Sequence, residues 1–162
     1  MAINYQLSQE AKSHLLSHFN NNMPGSYFDI EVLPNPESVL SYLSDKTTNQ
    51  IIVQANGTEV HMYNFDIEIG FDGIEHLSKI NPLDINKFGR NGHVINYGLI
   101  KQKLTRTSQL CIVAKKLNQS YEVLTMFPGK YAPPTPNVNQ SPQFYLECKD
   151  FWDKHLLIKS IV

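Results

Sequence analysis

Two cysteines in 162 residues are too few for a disulfide framework, and Cys111 and Cys148 lack the CxxC spacing of a zinc site. One falls in a predicted strand and the other in a predicted helix, so both are expected to be buried thiols. No apolar run approaches the roughly 20 residues that a membrane-spanning helix needs, and the opening MAINYQLSQE lacks the basic, then apolar, pattern of a signal peptide. A cytoplasmic protein is expected, or one delivered into a target-cell cytoplasm. HExxH, P-loop, GxSxG and GxGxxG patterns are all missing, which leaves metalloprotease, NTPase, α/β-hydrolase and dinucleotide-binding readings without support. Each half of the chain is also short of one charge. Residues 1–83 set three lysines against ten acids, a net −7, and residues 84–162 set eleven Lys or Arg against five acids, a net +6. Two readings are open: a nucleic-acid or other anionic partner on the basic side, or two halves that neutralise each other once folded.

What is present is an ordinary globular composition, 41% apolar and 18% charged in 18.5 kDa, enough for one domain with its own core. The expected fold class is α+β, a small antiparallel sheet packed against N-terminal and C-terminal helices in a single domain over residues 1–162. Ser8 caps a helix carrying Ala11, Leu15 and Phe19 at helical spacing, and the helix stops at residues 20–22. A short strand is expected over 27–33, and Asn35-Pro36-Glu37 opens a helix to about residue 43. The run 50–55 reaches Asn56-Gly57, a strong hairpin signal, and the return strand heads from residue 58 towards 69. Its period of two puts Glu59 and His61 on one face, either for acid–base work or as the exposed polar face of a half-buried sheet. Residues 74–80 suggest one or two helical turns, with His76 structural. The loop 86–92, with Gly89, Arg90, Asn91 and Gly92, delivers Arg90 and His93 on permissive backbone. Residues 94–104 fit helix or extended chain, because Gly98 weakens the helical pattern. The proline-rich stretch 129–140 wraps the surface in extended form. Ser141-Pro142 then opens a last helix with an apolar stripe of Phe144, Cys148, Phe151, Trp152 and His155, the histidine serving as a cap.

Two apolar runs, 109–117 and 121–127, flank a polar turn at Asn118-Gln119 and predict an antiparallel hairpin. The simple register pairs Lys116 with Tyr121, Ala114 with Val123, Ile112 with Thr125 and Leu110 with Phe127. It places Lys116, Tyr121 and Thr125 on one face, with Arg106 in the same parity and Thr105 and Thr107 pointing away. These are parts for RNA transphosphorylation, which needs a base, an acid, and cations or hydroxyls around the phosphorane. His93 is the candidate base or acid, and Arg106 the bidentate phosphate grip. Lys103, Tyr121 and Thr125 complete the candidate catalytic set; Arg90, Lys101, Thr105, Thr107 and Lys116 are candidates for holding RNA phosphate. The plain alternative makes Thr125 a strand former, Tyr121 a cross-strand packer and the lysines a solvated edge.

Gly92-His93, the approach Lys103-Leu104-Thr105-Arg106-Thr107, the hairpin and the run YEVLTMFP over 121–128 together resemble the barnase/EndoU/colicin/RelE ribonuclease superfamily, including its phage and polymorphic-toxin members. The resemblance covers residues 90–129. It implies a helical N-terminal part on a small antiparallel sheet, metal-independent RNA cleavage with no cofactor, a toxin or effector role, RNA such as tRNA as target, and an acidic immunity or antitoxin partner. Two other functions stay open. One is a non-catalytic module that binds nucleic acid or protein through its basic face. The other is an ADP-ribosyltransferase-like effector, suggested by Arg106 with Thr107-Ser108, although no Glu-x-Glu follows and Glu122 stands alone.

Overall fold

The computed structural model describes residues 3–90 and 92–162; Met1, Ala2 and Asn91, the last assigned from sequence to a loop, lie outside the described residues. The chain enters through β1 (Tyr5–Gln6). Ser8 then accepts the Ala11 amide and caps α1 (Gln9–Leu15), which tightens into a 3-10 turn over Leu16–Phe19. Ala11, Leu15 and Phe19 are all buried, as their spacing on one helix face requires. After β2 (Tyr27–Phe28), Asn35 and Ser38 cap each other around Pro36 to open α2 (Pro36–Tyr42). β3 (Gln50–Val53) and β4 (Glu59–Asn64) form the Asn56-Gly57 hairpin, with Gly57 at φ +86°. Five strands follow: β5 (Gly70–Asp72), β6 (Ile74–His76), β7 (Ile85–Arg90), β8 (His93–Ile100) and β9 (Thr105–Thr107). The central hairpin is β10 (Gln109–Lys116) with β11 (Tyr121–Pro128). α3 (Pro142–Lys154), capped by Ser141, leads directly into β12 (His155–Ser160).

These strands form three sheets, ordered β1-β11-β10-β4-β3, β6-β12-β8-β7 and β2-β5-β9. The expected architecture of one small antiparallel sheet between terminal helices is therefore corrected. Strands take 37% and helices 23% of the described residues, and two sheets each contain a parallel pair, β1 with β11 and β12 with β8. The physical reason lies in strands whose sequence does not alternate. In β7 and β8, Asn86, Gly89, Asn96 and Gly98 interrupt the apolar alternation, so the sequence reads as loop and as undecided chain. Gly98 marks a close approach instead, since a Cβ there would lie 3.1 Å from the Leu156 side chain. β12 follows α3 without a turn signal, and nothing in the pattern separates it from the helix. Smaller corrections follow the same logic: the return strand of the first hairpin stops at Asn64, the strand at 27–33 shrinks to two residues, and residues 74–79 are β6 plus a 3-10 turn.

Three apolar clusters join the layers. In the largest, Leu15, Phe19, Val39 and Leu43 from the helical segments pack on Tyr63, Leu110, Ile112, Ala114, Val123 and Met126 of the first sheet. In the second, Trp152 packs with Ile74 and Ala132. Its indole N–H donates to the Pro133 and Pro134 carbonyls, which pins the extended proline-rich segment to α3. In the third, Leu104, Leu156 and Ile158 meet Tyr27 and Phe71, seating the second sheet on the third. No helix among the described residues is long and apolar enough to cross a membrane.

Candidate functional site

The central hairpin turns where expected, with the Leu117 amide donating to the Ser120 carbonyl at 2.9 Å. Lys116 faces Tyr121 and Ala114 faces Val123, but the next pair is Val113 with Thr125, so Leu124 is an extra residue and β11 carries a bulge. Ile112 then faces Met126 and Leu110 faces Pro128. The bulge divides the expected face: Lys116, Tyr121, Val123 and Met126 share the helix-covered side, while Thr125 and Phe127 point to the other. A bulge of this kind leaves no mark in hydrophobic patterning, which is why the simple register failed past Val123.

Arg106 sits in the third sheet, opposite Phe71, and its guanidinium is held by two carboxylates and an aromatic ring. Nη2 donates to Asp29 at 2.9 Å, Nε lies 3.6 Å from Glu68, and the group stacks 4.8 Å from the Phe71 ring centroid. The Asp29 hydrogen bond raises its already high proton affinity. Thr105 and Thr107 flank it in β9, the Thr107 hydroxyl accepting the Gln109 amide. Lys101 and Lys103 are exposed in the connection between β8 and β9. His93 opens β8 in the second sheet, so the structure does not bring it together with Arg106.

It brings His93 together with other groups. Arg90 is its cross-strand partner, and the Tyr145 hydroxyl from α3 lies 3.3 Å from its Nδ1. Its Nε2 is buried and has no hydrogen-bond partner among the described residues. The Arg90 charge also acts on His18. The His18 Nδ1–H donates to the Ser26 carbonyl at 2.9 Å, so the neutral ring keeps its lone pair on Nε2. Burial lowers the proton affinity of His18; the Ser26 bond opposes that effect and Arg90 adds to it. The His18 ring is 5.8 Å from that of Phe127, which lies two residues from Thr125 on the same side of β11. Two contact pairs, Phe127 with His18 and His93 with Tyr145, are thus linked through the charge of Arg90, the cross-strand neighbour of His93, and Thr125 lies on the Phe127 side of β11. Three of these, His93, Arg90 and Thr125, are legible in the sequence. His18 and Tyr145 are not, since each looks like an ordinary polar residue on an amphipathic helix.

A second polar cluster lies on the helix-covered side of the first sheet. Glu59 and His61 do share a face, but His61 is completely buried rather than part of a solvated surface. Its Nε2 is 2.9 Å from Glu59, its Nδ1 is 2.7 Å from the Tyr5 hydroxyl, and Tyr5 is 2.6 Å from the Tyr63 hydroxyl. Burial pushes the Glu59 carboxyl up, but hydrogen bonds from His61 and Tyr121 and the nearby Lys116 charge outweigh it and hold the group below its ordinary range. An ionised Glu59 only accepts, so His61 Nε2 must donate to it. With a neutral His61 ring, Tyr5 then donates to Nδ1 and accepts from Tyr63. Tyr121 and Lys116 therefore belong to this cluster and not to the one around His93. An open groove of about 330 Å³ runs beside β1, lined by Ile3, Asn4, Tyr5, Leu40, Leu43 and Ser44, none of them part of the His93 cluster.

Cys111 and Cys148 are both free and buried, and burial pushes their thiols up to about 12 and about 11, far from a reactive thiolate. Among the described residues, no group of three or more His, Cys, Asp or Glu side chains is arranged to hold a metal ion. No protein-family model matches the chain, and no curated protein matches it in sequence.

Proposed function

We propose that the protein cleaves RNA by metal-independent transphosphorylation, with His93, Arg90, His18 and Thr125 as the residues that act on it. The observation that carries this reading is the His93 imidazole, approached at Nδ1 by Tyr145 and left with a buried, unpartnered Nε2 among the described residues. A buried polar atom without a partner is destabilising, and such atoms persist where function uses them. His18, kept neutral by burial, takes the ribose 2′-hydroxyl proton as that oxygen bonds to phosphorus. The bond from phosphorus to the 5′-oxygen breaks, and His93 delivers a proton to the leaving oxygen, giving a 2′,3′-cyclic phosphate and a 5′-hydroxyl. Arg90, which forms no ion pair among the described residues, neutralises the phosphorane oxygens, and the Thr125 hydroxyl adds a donor. The resemblance over residues 90–129 supports the same chemistry, and an acidic inhibitor protein fits the basic half of the chain.

The test is incubation of the purified, folded protein with single-stranded RNA and with its all-2′-deoxy counterpart. Cyclic-phosphate ends on the RNA alone, lost in His93→Ala, are expected; intact RNA would overturn the reading. The closure of Nε2 also favours a second reading, a module that binds RNA without turnover, for which the same incubation would show salt-sensitive binding and no products.

A further inference from the structure

Between Asp84 and Glu122 the sequence contains no acidic residue and seven basic ones. Arg106 is neutralised by Asp29 and Glu68, and Lys115 and Lys116 lie on the first sheet opposite Glu122 and Tyr121. The remaining four are Lys87, Arg90, Lys101 and Lys103. All are exposed, and none forms an ion pair among the described residues. They follow one border of the second sheet: Arg90 and Lys87 lie on β7, its outermost strand, and Lys101 and Lys103 in the connection that leaves β8 beside the far end of β7. The strand supplies five residue steps from Arg90 to Ile85, about 17 Å at roughly 3.4 Å per residue.

We infer that this border is the docking track for the RNA substrate, and that the substrate is single-stranded. The inference rests on the RNA-cleavage reading for the identity of the polyanion, and on charge complementarity for the surface. Lysines on an outer strand also discourage sheet-to-sheet pairing. That role accounts for Lys87, but not for the loop lysines or for the exclusion of acids across the whole segment. A duplex reader makes contacts across about 16 base pairs, spanning two minor grooves. A track near 17 Å is too short for that, but suits a few nucleotides of a flexible strand whose scissile phosphate reaches Arg90 and His93 at its end.

Binding of a labelled single-stranded RNA to the full-length His93→Ala protein, followed by fluorescence anisotropy from about 50 to about 200 mM salt, tests the inference. The combined Lys87→Glu, Lys101→Glu and Lys103→Glu change is expected to weaken binding at least tenfold, equally across sequences, and to flatten the salt slope by about 0.7 per lost phosphate contact. Lys149→Glu with Lys154→Glu on α3 serves as the charge control and is expected to bind as the parent does. Unchanged affinity in the triple variant, tighter binding to duplex RNA, or equal competition by an acidic polypeptide would each overturn the proposal. If the wild type leaves RNA intact yet the track binds it, the cleavage reading fails alone. If cleavage persists with the track reversed and binding unaltered, the track fails alone.

Discussion

The Tyr5 hydroxyl meets His61 Nδ1 at 2.7 Å although β1 and β4 are separated in the first sheet by β11 and β10. Ala114, the smallest side chain on that face, lies between them and is fully buried. One phenol thereby satisfies two interior groups from across the sheet. Tyr5→Phe keeps the ring but orphans His61 Nδ1 and the Tyr63 hydroxyl, and the expected loss is about 1–3 kcal/mol. Urea unfolding checks it: the midpoint should fall with the slope unchanged, and an unaltered midpoint would show that the cluster does not hold β1.

His18 gives the stability a pH dependence. Its proton affinity is lowered on folding by burial, with the Ser26 bond opposing and Arg90 reinforcing, so the unfolded chain binds the proton more readily. Its contribution is fully present above the ordinary value of 6.5 and is lost as pH falls below it. Melting temperatures between about pH 5 and pH 8 should drop on the acid side and drop less in His18→Gln. Parallel curves for the two proteins would contradict this.

Asp72 has the opposite sign. Burial raises its carboxyl above the ordinary value of 3.8, against the Ile74 amide and Lys130, so its ionised form opposes folding. The uncharged carboxamide introduced by Asp72→Asn retains an oxygen for the Ile74 amide. The variant's stability relative to wild type should be greatest near neutral pH and shrink as pH falls towards 3.8, where the folded wild type has taken up its proton. Chemical unfolding at the two pH values measures the difference.

At Gly73 the backbones touch. A Cβ there would sit 2.1 Å from the Gly25 carbonyl carbon, and no rotamer relieves a clash with main chain. Gly73→Ala is expected to lower stability by about 3 kcal/mol or more. Gly89→Ala, with nothing within 4 Å of the added carbon, is the contrast and should be neutral or slightly stabilising. Similar melting temperatures for the two variants would rule out the close approach.

Arg106 separates fold from chemistry. Its ion pairs with Asp29 and Glu68 tie the third sheet to the segment after β2. Arg106→Ala should lower the melting temperature while leaving any RNA cleavage rate of the folded fraction intact, whereas Arg90→Ala should do the reverse. Loss of cleavage in a fully folded Arg106→Ala protein would return Arg106 to the site.

Local signals carried the helices and two hairpins. Ser8, Asn35-Pro36 and Ser141-Pro142 are caps whose hydrogen bonds close within three or four residues, so the sequence displays them directly. Asn56-Gly57 and Asn118-Gln119 are turns of the same local kind. What stayed hidden depends on partners far along the chain. β9 is a strand because Gly70–Asp72 lies beside it, and β12 because Tyr97–Ile100 does. Of the site, His93, Arg90 and Thr125 stood out by residue type. The Leu124 bulge, the Asp29 partner of Arg106 and the approach of His18 are tertiary facts with no periodic trace.

The order β6-β12-β8-β7 places the strand made last in the middle of its sheet. On the ribosome, β6, β7 and β8 emerge well before residues 155–160 exist to join them, and at about 5–20 residues per second that delay lasts seconds. Through that interval the facing borders of β6 and β8 stand open beside the unshielded Ile74 and Leu104 side chains. The second sheet therefore closes only after residues 155–160 are free of the exit tunnel.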